Sequence, residues 1–314
     1  MNKFTSSIKK KFKRTFKTTS PLYIVLFVCM FLYVAFLRYL MFWGIIRSLK
    51  TVSDFNDNVL GLPTEATFKN FITIFNNFYV RVNVDGVLVP KFIEDMLLNT
   101  LLYALGGAFI STFVPCIVAY AVTRFDFKFN AVIKGIVIIT MILPIIGSAP
   151  AEIQLLRELG LYDSIIGNWI QKFHFLGMYF LVFTAAFEVI PKDFAEAAYM
   201  DGASEFKLLT KIMFPMVSTV FTTVLLINFI GLWNDYQTPM LYLPTHPTLA
   251  FGIFDLSRTT INELSNVPAR MAGCVILLVP ILIIFIAFSL IFKPIIIFYC
   301  TISLNSKINY WQAR

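Results

Sequence analysis

The chain has 314 residues, of which 58% are hydrophobic and only 14% charged, with a net charge of +8. Its mean hydropathy is +0.76. A soluble domain carries about a quarter charged residues, so this composition excludes an ordinary water-soluble fold. The cationic surplus is then better read as a signal that orients membrane spans than as a nucleic-acid surface. The cysteines (Cys29, Cys116, Cys274, Cys300) all lie in apolar stretches without CxxC spacing. They read as small buried hydrophobes, with neither a disulfide framework nor a metal site.

Residues 1–20 form a basic tail with Lys9, Lys10, Lys11, Lys13 and Arg14 among its cations. Phe4, Ile8, Phe12 and Phe16 recur every fourth residue, which would give a helix one apolar stripe. Two readings stand side by side: a helix lying on an anionic leaflet, or a basic tail that only sets orientation. The apolar run after Pro21 is too long for the core of a cleaved signal peptide, and no small-residue cleavage site follows it.

Apolar stretches of roughly 20 residues are needed to cross a ~30 Å hydrocarbon layer. Six are expected here: Pro21 to Ile46, Leu97 to Val122, Val132 to Gly147, Phe173 to Ile190, Pro215 to Leu232 and Met271 to Phe292. Residues 21–292 thus form the membrane domain, and 293–314 a C-terminal tail. Arg38, towards the outer end of the first span, is expected to snorkel. Pro115, Pro144 and Pro280 predict kinked helices. Six spans put both termini on one side. With the N-terminus inside, the inner segments gather well over half of the Lys and Arg, including Arg124, Lys128, Lys134, Lys192, Lys207 and Lys211. Trp43, Trp169 and Trp233 then fall near outer ends, as an aromatic belt would place them. The expected fold class is all-α and polytopic, with six transmembrane helices and a cytoplasmic two-helix loop.

That loop, 193–215, is the most informative stretch. Pro191 ends the fourth span, and Asp193 precedes Glu196 by three residues, the spacing of a capping box. A short helix to Asp201 is predicted, then a left-handed turn at Gly202, then a second helix over Ala203 to Phe214, with Pro215 opening the fifth span. The small side chains of Ala197 and Ala198 would let the first helix seat deeply in a groove of a partner, with Glu196 meeting a basic group there. An ordinary cytoplasmic loop with helix-forming residues is the competing reading.

The spacing Glu196-Ala197-Ala198, Gly202, Ile212, Pro215 resembles the pattern E-A-A-x3-G-x9-I-x-L-P of binding-protein-dependent ABC importer permeases; Phe214 replaces the leucine. Ser48-Leu49-Lys50, Gly61-Leu62-Pro63, Phe68-Lys69-Asn70-Phe71, Leu98-Asn99-Thr100, Gly160-Leu161-Tyr162-Asp163 and Trp233-Asn234-Asp235 are similar to the carbohydrate-importing subgroup of the maltose and multiple-sugar type. The resemblance implies a bacterial cell-membrane permease with cytoplasmic termini. Its implied partners are a second permease subunit in a heterodimer, two ATP-binding cassette subunits and an extracytoplasmic solute-binding protein. It also implies that Glu196, Ala197 and Ala198 sit in a cleft of the ATPase, with Asp201, Gly202, Ile212 and Pro215 completing the coupling segment. Departures are Arg38 in the first span and a C-terminal tail without glycine.

No G-x4-G-K-[ST] phosphate loop occurs, so the chain itself is expected to bind no cofactor and to perform no catalysis; ATP and Mg belong to the partner ATPase. Few ionisable residues lie within spans, which disfavours an ion-coupled carrier. Asn99, Asn228, Asn234 and Asp235 are candidates for the translocation path or for binding-protein contact, and Asn228 is equally suited to a helix–helix hydrogen bond. The sequence leaves open an importer for another solute (a phosphonate, peptide or polyamine) or a self-sufficient carrier or channel.

Overall fold

The computed structural model describes residues 21–143, 147–258, 264–287 and 290. The basic tail 1–20, Pro144, and the C-terminal tail 293–314 lie outside these described residues, as does the end of the sixth expected span. In chain order the helices are α1 Pro21–Ser48, α2 Val52–Asp57 and α3 Lys69–Asn77. A hairpin of β1 Tyr79–Val84 and β2 Val87–Phe92 follows. Then come α4 Ile93–Arg124, α5 Asn130–Ile142, α6 Ala149–Glu158, α7 Ile165–Gln171, α8 Met178–Glu188 and α9 Asp193–Met200. The last are α10 Glu205–Trp233, α11 Gln237–Tyr242, α12 Leu249–Leu256 and α13 Val267–Ala287.

The count of spans corrects the sequence-based expectation. Among the described residues four helices are long and apolar enough to cross a membrane, not six: α1, α4, α10 and α13. The third and fourth expected spans fold as α5 and α8, of 13 and 11 residues. At 1.5 Å per residue these are only about 20 and 17 Å long, short of the ~30 Å layer. Both are cut by their neighbours in sequence. Leu143, the residue before Pro144, is extended (ψ 117), as the ring of a following proline demands. Gly177 takes φ +139 immediately before α8, and Pro191 follows its end. A hydropathy window sees the apolar residues of these segments but not where the helix stops.

Among the described residues the hairpin is the one departure from helix in regular structure. Val80 and Val82 are buried on one face of β1, and Asp85 and Gly86 (φ 50 and 86) form the tight two-residue turn. The alternation Val80-Val82-Val84 and the Asp-Gly pair are the sequence signature of such a hairpin.

The chain divides into two compact units. One contains the described residues up to Ile74 together with Asn266–Val275. In it, α1 is exposed along almost all of Leu22 to Phe42, Arg38 included, and packs only at its end, where Gly44 approaches Met271. Beyond α1 the chain ties a polar knot. Arg47 and Lys50 are almost fully buried; Arg47 donates to the Gly61 carbonyl and Lys50 Nζ to the Asn58 carbonyl, both at 2.6 Å. Lys50 also pairs with Asp54 at 3.7 Å. Asn70 Nδ2 donates to the carbonyls of Ser48 and Lys50, closing the knot from its far side. The guanidinium of Arg47 lies 5.3 Å from the Trp43 ring centre.

The other unit contains Phe75–Ser265 and the chain from Ile276. Its centre is the antiparallel pair α4 and α10, its most extensive helix contact. Tyr103 meets Asp235, Thr112 meets Asn228 and Tyr120 meets Glu205 along this pair. Helix α8 packs on the same side of α4, through Phe180, Phe183 and Phe187. Pro115 lies within continuous α4.

Candidate functional site

The polar segment between α8 and the spanning part of α10 is held by local chemistry. Helix α9 begins at Asp193, with Lys192 at its N-cap and no side-chain cap bond. The capping box expected of Asp193 and Glu196 is therefore absent; Asp193 is already in the first turn, where its charge favours the positive helix end. The other end of α9 follows expectation. Gly202 has φ +76, and its N–H donates to Tyr199 O (3.0 Å) while the Ala203 N–H donates to Ala198 O (2.9 Å). This pair of bonds is a Schellman cap, which only a residue free of Cβ strain closes cheaply.

The next helix is not separate from the span. Ser204 caps Glu205 to Leu208, a π-turn occupies Leu209–Met213, and α10 continues through Pro215 to Trp233. Proline removes one backbone donor and its ring crowds the carbonyl four residues back. The wider π-turn, with Phe214 N–H bonded to Leu209 O, absorbs that misfit and lets the helix run on. The helix therefore runs on from Glu205 in the loop, through Phe214 and Pro215, to Trp233.

Glu205 anchors the loop. Its carboxylate accepts from the Tyr199 hydroxyl on α9 and, at 3.5 Å, from the Tyr120 hydroxyl on α4. Arg124 lies over the Tyr199 ring at 5.3 Å. Ala119-Tyr120-Ala121 resembles the same family in sequence, but nothing in the linear pattern brings position 120 to position 205 or assigns Tyr199 and Glu205 a role.

Within α9 the residues divide sharply by face. Ala195 and Ala198 are buried in this chain's own core, beside Leu208, Met213 and Val217. Glu196, Ala197, Met200, Asp201 and Gly202 are exposed. The alanine pair expected to seat together in a partner is therefore split: Ala197 faces outward, Ala198 inward. Ile212 and Pro215 are half-buried along α10, Ile212 against the same core.

The four other candidates lie apart from the loop. Asn99 Nδ2 donates to Pro247 O (3.1 Å) and, with Thr100 accepting from the Leu249 N–H (2.7 Å), pins the start of α12 to α4. Asn228 Nδ2 donates to Thr112 Oγ1 (2.9 Å), the helix–helix bond that is one of its two readings. Asn234 is exposed and returns its amide to Ile230 O at the end of α10. Asp235 accepts from the N–H groups of Gln237 and Thr238 and from the Tyr103 hydroxyl (2.8 Å), so its carboxylate is fully engaged in fixing the turn into α11. Close by, the Lys172 ammonium lies over the Tyr103 ring at 5.3 Å; burial holds its pKa below the usual lysine value, against the opposing pull of Asp235. Trp233 is wholly buried and donates to Leu277 O, and Trp169 donates to Leu102 O. These indoles fasten helices to one another.

The chain is similar to known proteins in sequence and in fold. The family described as binding-protein-dependent transport system inner membrane component matches residues 111–297. The trehalose transport system permease protein SugB of Mycobacterium tuberculosis is 24% identical over 257 residues, covering 80% of this chain and 86% of that protein. The arabinooligosaccharides transport system permease protein AraQ of Bacillus subtilis is 26% identical over 229 residues, covering 72% and 76%. In fold, the chain is similar to a crystal structure of a bacterial ABC transporter involved in the import of the acidic polysaccharide alginate. The TM-score is 0.65 at 22% identity, covering 85% of this chain and 95% of that one.

Proposed function

The chain belongs to the family of inner membrane components of binding-protein-dependent transport systems, and we propose that its cargo is a sugar or oligosaccharide and that the exposed face of α9 is its contact with a separate ATPase. The sugar assignment is supported by the relatives that transport trehalose and arabinooligosaccharides. The chain works beside a second permease subunit, two ATP-binding subunits and a solute-binding protein. It sits in the bacterial cell membrane with its 193–215 segment in the cytoplasm. Lys192, Lys207 and Lys211 lie in or beside that segment, and Arg124 and Lys128 at the end of α4 and just after it, as the positive-inside rule asks.

One observation carries the coupling assignment: the loop's exposed charge and the spanning helix belong to one mechanical piece. Glu196 and Ala197 protrude from α9, whose inner face is packed into the core. Tyr199 ties α9 to Glu205, and from Glu205 the helix continues unbroken into the span. A force on Glu196 and Ala197 from a closing ATPase is thereby passed to α10 through the Tyr199–Glu205 contact. The seat differs from the simple expectation in that Ala198 supports α9 from within, and the partner meets Glu196, Ala197, Asp201 and Gly202.

Co-purification in gentle detergent, followed by reconstitution in vesicles, tests this. An ATPase is expected to accompany the chain. Uptake of at least one member of a labelled panel of neutral and acidic di- and trisaccharides is expected to need ATP and the binding protein. Uptake that runs without ATP would refute the importer mechanism, and a complex that moves none of the panel would refute the sugar assignment.

A further inference from the structure

Helix α9 has little of its own to fix the angle at which it faces outward. It has eight residues, and a helix that short is marginal without outside support. The side chains it buries are Ala195 and Ala198, one methyl group each, while the larger Phe194 and Met200 are exposed. The connection to α10, residues 201–204, reverses the chain at Gly202, the residue type with the freest backbone. Two methyl groups and a glycine turn locate α9 against the core but resist its tilting weakly.

Tyr199 supplies the missing restraint, because it is held at both its face and its tip. The Arg124 guanidinium, at the end of α4, lies 5.3 Å from its ring centre, and its hydroxyl donates to Glu205 Oε1. Tyr120, one turn before Arg124, donates to the other oxygen of the same carboxylate at 3.5 Å. The Tyr120 ring is itself fixed: it is buried and edge-on to Phe187 of α8 at 5.5 Å. Glu205 thus rides on the first turn of α10 and gives one oxygen to α9 and the other to α4. Hydrogen bonds to a carboxylate are about twice as strong as neutral ones. Glu196, Asp201 and Lys207 of the same loop, by contrast, make no ion pair or side-chain hydrogen bond among the described residues. The pattern E-A-A-x3-G-x9-I leaves positions 199 and 205 open, so this pairing is a feature of the chain beyond the family pattern.

We propose that Glu205 is a positioning residue: acting through Tyr199, and braced by Tyr120, it sets the pose in which α9 presents Glu196 and Ala197 to the ATPase. The inference rests on the coupling reading above, is independent of the cargo, and its test separates the two.

The complex with its ATPase is prepared with Cys29, Cys116, Cys274 and Cys300 replaced and with Ala197→Cys introduced on the open face of α9. Its labelling by N-ethylmaleimide is compared with that of the same chain stripped of the ATPase, and the bound ATPase is expected to slow it. Glu205→Leu and Tyr199→Phe are then added singly. Glu205 is exposed and Tyr199→Phe keeps the ring, so neither change threatens the fold. Each is expected to speed labelling in the assembled complex by about tenfold at equal bound ATPase, the lower end of what losing a hydrogen bond to a charged group shifts an equilibrium. Glu205→Gln, which keeps an acceptor oxygen for Tyr199, is expected to speed it less than Glu205→Leu does. A residue that served only the stability of the fold would lower the melting temperature and leave labelling at position 197 unchanged. Labelling unchanged by Glu205→Leu or by Tyr199→Phe, or sped equally by Glu205→Gln and Glu205→Leu, would overturn the positioning role while leaving the coupling face intact. If no ATPase accompanies the chain, or if it fails to protect position 197 before Glu205 or Tyr199 is changed, the coupling face is misassigned and the positioning role falls with it.

Discussion

The two polar regions of this membrane protein are built in opposite ways. The knot at Arg47 to Asn70 turns its charges inward: Arg47 and Lys50 are 1% and 0% exposed and each donates to a backbone carbonyl. The loop at Asp193 to Lys207 turns its charges outward and buries alanines, with Ala195 and Ala198 at 0% and 6%. Both stretches look alike as linear sequence, each a mixture of charged, small and apolar residues between hydrophobic runs. The difference teaches what a polar residue is for. A charge whose hydrogen bonds are used internally holds the chain in shape. One left in solvent on a firmly packed helix is available to another molecule.

Substitutions that sharpen this contrast can be ranked by their expected effect on stability. Lys50→Ala should be the most damaging, because it removes the cation that faces the buried Asp54 carboxylate. Breaking such a pair costs about 3–5 kcal/mol, and limited proteolysis in native membranes should show cleavage appearing between 51 and 68. In the loop, Ala198→Leu must overpack the core beneath α9, a cost of about 1–3 kcal/mol that lowers the melting temperature of the purified complex. Ala197→Leu, one residue away on the open face, should leave that temperature alone and instead reduce recovery of the ATPase. If the two leucines behave identically, the division of α9 into an inner and an outer face is wrong.

Gly202→Ala places a Cβ in the left-handed region, at a cost of about 1 kcal/mol, visible as a small thermal shift. Glu196→Ala should have the least effect on stability, within about 0.5 kcal/mol for an exposed site, and a large effect on function. ATPase activity stimulated by loaded binding protein should fall at least tenfold, with membrane insertion unchanged. Normal stimulated activity in this variant would remove Glu196 from the coupling contact.

Much of this arrangement is legible in the linear order of residues. Gly202 ends α9 as its spacing suggests, because other residue types take φ +76 only with strain. The apolar runs that form α1, α4, α10 and α13 are equally plain, since crossing a membrane requires an unmistakable length of hydrophobic sequence. Three features escape such a reading for different reasons. The shortness of α5 and α8 is hidden because hydropathy averages over Pro144 and Gly177. The hairpin at Asp85-Gly86 carries a turn signal, but one diluted inside a long polar stretch. The π-turn before Pro215 has no sequence signature at all, only a physical need to relieve the proline.

By itself, then, the sequence determined the solvent this chain lives in, the family pattern of its loop and the helix-ending turn at Gly202, because these depend on composition and on local backbone chemistry. The tertiary structure alone decided which alanine faces inward and which carboxylate binds Tyr120 and Tyr199. Those outcomes depend on helices far apart in the chain, such as α4 and α10, being packed face to face, and no local preference encodes which face that will be.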